Sequence, residues 1–193
     1  MPNATQLLRQ DHKKVEGLFN KYEQGKNMDA KKRFAMQAMN ELEVHAQIEE
    51  EIFYPAVKKG IEESELVDEA VQEHQEAKSL IAELKKMQGR DDGAADEFES
   101  KFSNLMEAIQ HHVEEEEGEM FPKVEDSELD LAELGSEMAE RKQELMQEMG
   151  VANKQSGSRS RSKTKSKSKS TRRTKSRSTK ARKSSGGKRA RAR

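Results

Sequence analysis

Four successive stretches of this chain carry apolar side chains at the three-and-four spacing of an amphipathic helix, and each has one histidine set into its apolar stripe. The spacing predicts a first helix from Thr5, as N-cap, to Gln24 before Gly25, aligning Leu8, His12, Val15 and Phe19. A second helix runs from Asp29 to Lys59 and aligns Ala38, Leu42, His45, Ile48, Glu49 and Ile52, with Pro55 expected to kink or break it near its end. A third, Ser64 to Gln88, aligns Val67, Ala70, Val71, His74, Ala77 and Ile81; a fourth, Ala94 to Phe121, aligns Phe98, Leu105, Ala108, Ile109 and His112 and stops or bends at Pro122. The Gly-Arg-Asp-Asp-Gly stretch at 89–93 reads as a turn. Four long helices with short connections imply an all-α, up-down-up-down four-helix bundle. A shorter fifth helix is expected over Ser127 to Met149, opened by a capping-box pattern at Ser127 and Asp130 and carrying Leu131, Leu134, Met138, Leu145 and Met146.

The remainder of the chain has another character. Lys154 to Arg193 holds 18 Lys or Arg and no Asp or Glu, which leaves 18 basic and 37 acidic residues in positions 1–153, a net of −19. Ser or Thr alternates there with Lys or Arg, offering no apolar surface to offset the entropy of folding, so a disordered basic tail is expected over 151–193. The domain reading is therefore a helical bundle at 1–125, an accessory helix at 126–150 and the tail. With no cysteine there is no disulfide, thiolate site or cysteine nucleophile, and no apolar run suggests an export signal or membrane span; a cytoplasmic protein is the expectation.

A single histidine on an apolar face is commonly an ordinary core residue. Four of them, His12, His45, His74 and His112, one per helix, need a common explanation, because each buried imidazole requires a partner. Metal ligation supplies one. An internal repeat strengthens it: HAQIEEEIFYP at 45–55 matches HVEEEEGEMFP at 112–122 at the His, at two Glu and at the Pro. Histidine and glutamate four apart share one helix face, so His45 with Glu49, and His112 with Glu116, can reach one ion. Glu50 and Glu117 fall round the helix, as partners behind the ligands or outer ligands, and the rest of each acidic run reads as a solvated face. His111, with Asn104 and Glu107 as helical neighbours, is left outside the set. Imidazole and carboxylate without thiolate suit iron, manganese or zinc, and carboxylates able to bridge favour a pair of ions.

Together LLRQDHKKVEGLF at 7–19, HAQIEEEIFYP, EHQEAKSLIAEL at 73–84 and HHVEEEEGEMFP at 111–122 resemble the hemerythrin HHE cation-binding family over about residues 1–125. The resemblance implies a non-haem di-iron centre held by His12, His45, Glu49, His74, His112 and Glu116, with Glu49 and Glu116 as bridges. One place departs. Oxygen-carrying hemerythrins have a histidine four residues after the third-helix histidine, and this chain has Lys78.

The expected function is a di-iron protein that binds or senses oxygen, nitric oxide, peroxide or iron, not primarily an enzyme. Two alternatives stay open: a redox enzyme acting on peroxide or ferrous iron, and a structural protein of nucleic acid whose helical part is a metal-stabilised spacer. Eighteen positive charges without an aromatic residue predict non-specific nucleic-acid contact through Lys154 to Arg193, or neutralisation of the acidic segment.

Overall fold

Asn3, not Thr5, starts the first helix. Its side chain accepts the backbone N–H of Gln6, and the Gln6 side chain accepts the N–H of Asn3, a reciprocal cap on α1 (Ala4–Glu23). Thr5 is fully buried and donates its hydroxyl to Glu125 at 2.8 Å, so a residue of capping chemistry is consumed by a tertiary contact. The computed structural model describes residues 2–61, 64–87 and 94–150; the expected turn at 89–93 and the tail at 151–193 lie outside them. The described residues form helices and contain no strand.

The two prolines do not end their helices. α2 (Met28–Ile48) passes through a single π-helical turn, Glu49–Phe53, into α3 (Tyr54–Gly60); after α4 (Ser64–Lys86), α5 (Ala95–Glu115) passes through a second, Glu116–Met120, into α6 (Phe121–Glu125). Tyr54 N–H reaches the carbonyl of Glu49 and Phe121 N–H that of Glu116, each five residues back. A proline ring in an α-helix collides with the carbonyl four residues earlier. The wider turn just before Pro55 and Pro122 moves that carbonyl away, and the helix continues. The turns also sit at the ends of the two His-x-x-x-Glu pairs.

Side chains of α1, α2, α4 and α5 pack into two apolar clusters with a polar layer between them. Leu8, Ile48, Phe53, Val67, Phe121 and Val124 belong to one cluster, and Val15, Leu42, Ala77, Ile81, Phe102 and Ile109 to the other. His12 therefore stands between Leu8 and Val15 on α1, and His45 between Leu42 and Ile48 on α2. α1 packs on α2, α4 on α5, and α2 touches α4. α7 (Leu131–Glu148) lies against α1 and α2 and adds Met138 and Leu145 to the first cluster. It begins four residues later than expected: Asp130 caps it by accepting from Ala132 and Glu133, whereas Ser127 donates to the carbonyl of Val124 at 2.7 Å. Among the described residues no helix is long and apolar enough to cross a membrane.

Candidate metal centre

The polar layer contains His12, His45, His74, His112, Glu49 and Glu116, all at most 8% exposed, with Glu49 at 0% and Glu116 at 1%. His111, by contrast, has a side chain 64% exposed. The helical phase that separates His112 from its neighbour thus holds in three dimensions.

Two pairs of imidazoles face each other. His12 Nε2 is 3.1 Å from His45 Nε2, and His74 Nε2 is 3.1 Å from His112 Nε2. The carboxylates cross between the pairs. Glu49 Oε2 lies 3.1 Å from His45 Nε2 and 3.4 Å from His74 Nε2; Glu116 Oε2 lies 3.4 Å from His12 Nε2 and 3.6 Å from His112 Nε2. His12, His45, Glu49 and Glu116 can each offer one ligand atom with all of them inside 4.8 Å, and Glu49, His74 and His112 form a second such group.

Behind the imidazoles stands a ring of carboxylates. Nδ1 of His12 meets Glu117 at 2.7 Å, Nδ1 of His74 meets Glu50 at 3.1 Å, and Nδ1 of His112 meets Glu73 at 2.8 Å. An Nδ1–H donated to a carboxylate leaves Nε2 with its lone pair turned inward. His45 is the exception, since Asp11 stands 3.8 Å from its Nδ1, beyond hydrogen-bond range, and forms an ion pair with Lys142 of α7. Glu50 is also gripped by Lys78, both oxygens at 2.6 Å, so the lysine in the departing position steadies a histidine's partner.

Without a cation the layer is electrostatically unsatisfied. Both oxygens of Glu49, Oε2 of Glu116 and Nδ1 of His45 are buried with no hydrogen-bond partner. Desolvation, reinforced by Glu116, pushes the Glu49 carboxyl well above its ordinary range. Burial works the same way on Glu116, but the imidazoles of His112, His12 and His45 outweigh it and hold that carboxyl low. Desolvation, then the neighbouring His112 and His45, drives His74 down to about 2, and desolvation also lowers His45. Burial opposes protonation of His112 as well, yet Glu116 and Glu73 raise it overall. A buried layer with inward lone pairs and uncompensated carboxylate oxygens has the donor chemistry for cations of borderline hardness.

The profile of the hemerythrin HHE cation binding domain matches residues 3–124. The chain belongs to that family. This HHE domain is 29% identical over 122 residues to a DNA nickase of a Nostoc species, covering 63% of this chain and 33% of the nickase. It is 27% identical over 127 residues to an uncharacterised hemerythrin-like protein of Schizosaccharomyces pombe, covering 65% of this chain and 61% of that one. The matched region is thus less than two thirds of either of these relatives. An uncharacterised protein of Mycobacterium tuberculosis is 28% identical over 147 residues, 74% of this chain and 87% of its own. The crystal structure of a hemerythrin HHE cation binding domain-containing protein from Mycobacterium kansasii superposes with a TM-score of 0.66, at 23% identity, over 78% of this chain and 91% of that chain, and so shares the fold.

Three further neighbours of this polar layer carry a sequence signal that spacing alone does not bring out. Asp11 directly precedes His12 and Glu73 directly precedes His74, so an acid-His step repeats in the two halves just as His-x-x-x-Glu-Glu does. Tyr54 is the third; buried, it donates its hydroxyl to Glu116 Oε1 at 3.0 Å. It falls beside Pro55 in the repeat, where Phe121 is its counterpart.

Proposed function

We propose that this HHE domain holds a non-haem di-iron centre, His12 and His45 serving one iron, His74 and His112 the other, with Glu49 and Glu116 between them. The observation that carries the reading is the set of four inward Nε2 atoms around two buried carboxylates whose oxygens lack partners. Bound iron would supply a Lewis-acidic, redox-active position for a small ligand. The protein's own part is to fix the imidazoles through Glu50, Glu73 and Glu117, to keep water out with its two apolar clusters, and to hold a proton on Tyr54 toward Glu116. Burial and the charge of Glu116 keep the Tyr54 hydroxyl protonated well beyond the ordinary tyrosine range.

A cavity of about 20 Å³ against the four histidines, walled by Leu42, Ala77, Ile81 and Ile109 among others, supports a small ligand. That volume accommodates a guest of about one or two heavy atoms. Oxygen, nitric oxide or peroxide fits, and binding or sensing one of them, or iron itself, is the proposed role. The proposal extends to an up-down-up-down bundle at 1–125, an accessory helix at 126–150 and a basic tail at 151–193, outside the described residues, that contacts nucleic acid non-specifically in the cytoplasm. The nickase name of one relative agrees with a nucleic-acid setting. Anaerobic ferrous loading followed by elemental analysis and an optical spectrum on admission of air tests the centre: two irons per chain and a new near-ultraviolet charge-transfer band are expected, and iron-free protein after loading would overturn it.

A further inference from the structure

Glu73, His111 and Glu115 stand together where α4 meets the end of α5, outside the buried layer. His111 Nε2 lies 3.3 Å from Glu115 Oε1 and 3.7 Å from Glu73 Oε1, and one donor atom from each residue fits within 4.8 Å of the others. The imidazole is open to solvent, while the two carboxylates are partly sheltered. An imidazole with two carboxylates and room for water is a donor set for a divalent first-row transition ion.

The position of this trio matters more than its composition. Glu73 serves two places at once, its Oε1 turned to His111 and its Oε2 accepting from Nδ1 of the buried His112. A narrow cleft lies between α4 and the end of α5, with Glu69, Glu73 and Glu115 at its mouth and His112 and Glu116 at its floor. At that floor Glu116 is 1% exposed, and its Oε2 turns on to Nε2 of His12 and His112 in the buried layer at 3.4 and 3.6 Å. An acid-rimmed cleft that ends on a buried imidazole and a buried carboxylate draws cations inward and offers them ligand residues along the way.

We infer that His111, Glu115 and Glu73 form a surface site that captures a divalent transition ion and passes it through this cleft to the buried centre. The destination rests on the di-iron reading; the capture site does not. Three protein ligands on an open surface hold an ion loosely and exchange it fast, as delivery requires. At equilibrium the surface site leaves the buried content untouched, so its signature is kinetic.

The test uses the full chain freed of metal, with cobalt(II) as the filling ion and manganese(II) as a paramagnetic surface probe. Substoichiometric manganese should broaden the His111 ring resonances, and the broadening should vanish in Glu115→Gln. In stopped-flow loading at low cobalt, His111→Ala and Glu115→Gln should each fill the buried centre several-fold more slowly than the parent, with the same final cobalt content and helix content. Both side chains are at the surface, so neither variant opens a hole in the core. Equal loading rates, or a His111 resonance indifferent to manganese, would overturn the inference. If no protein acquired buried cobalt while His111 still broadened, the buried-centre reading would fail and the delivery role with it, but the capture site would stand.

Discussion

At the scale of single residues, the centre is organised by carboxylates that touch imidazoles from behind. Losing such a partner typically weakens metal binding about 10–100-fold, because the ring loses its orientation and tautomer. Glu117→Ala should therefore lower iron affinity by about that factor in competition with a chelator, while Glu114→Ala, two residues past His112 on the exposed side of the helix, should not; equal affinities for the two variants would mean that Glu117 has no such role. Asp11 and Lys142 make a second case. They tie α1 to α7 in a partly buried ion pair, and a double-mutant cycle with Asp11→Asn and Lys142→Met should return a coupling of roughly 0.5–3 kcal/mol in denaturant titrations, whereas additive effects would show that the pair contributes nothing. Which histidines enter the core was legible from their place on the apolar stripes, whereas the sequence left Glu50 and Glu117 open between partners behind the imidazoles and outer ligands. Asp11, Glu73 and Tyr54 were not, since their roles arise from contacts across helices that no spacing within one helix encodes.

At the scale of elements, glycine separates two kinds of helix surface. A Cβ at Gly135 of α7 would stand 2.6–2.7 Å from backbone atoms of Pro2, Asn3 and Ala4, whereas one at Gly17 of α1 would meet nothing within 4 Å. Gly17→Ala should stabilise the protein by about 0.5–1 kcal/mol through helix propensity. Gly135→Ala should instead cost about 1–3 kcal/mol, because it overpacks the seat of α7 on the start of α1. Thermal or chemical denaturation decides; if the two substitutions shift stability in the same direction, the close approach of α7 is wrong. The helical segments themselves were readable from periodicity, to within a residue or two at most ends. The second helix was expected to reach Lys59 with a kink or break at Pro55, and the fourth to stop or bend at Pro122; what the sequence did not announce is the device, the π turns at Glu49–Phe53 and Glu116–Met120, which change the bonding just before each proline. Ser127 and Thr5 misled for a simpler reason: a hydroxyl that can cap a helix can equally serve a neighbouring carbonyl or carboxylate.

At the scale of the whole molecule, the apo fold must keep four imidazoles and two carboxylates in a buried layer between apolar clusters. Ligand binding to the native state adds stability by mass action, about 2.7 kcal/mol at a free concentration 100 times Kd, so chelation should lower Tm measurably and reloading should restore it; identical melting curves would count against the centre. Charge separates from metal along the chain. Truncation after Asn153 should abolish most duplex-DNA binding while leaving iron content intact, and full engagement of the 18 tail charges would give a log-log salt slope approaching about −16. Undiminished binding by the truncated chain would move the contact to the helices. The central claim, a pair of irons in the polar layer, is tested most directly by anomalous diffraction at the iron edge from crystals of anaerobically loaded protein. Two peaks are predicted, one in contact with Nε2 of His12 and His45, the other with Nε2 of His74 and His112, and both beside Glu49 and Glu116. A single peak in the layer, or iron found only at His111, would contradict it.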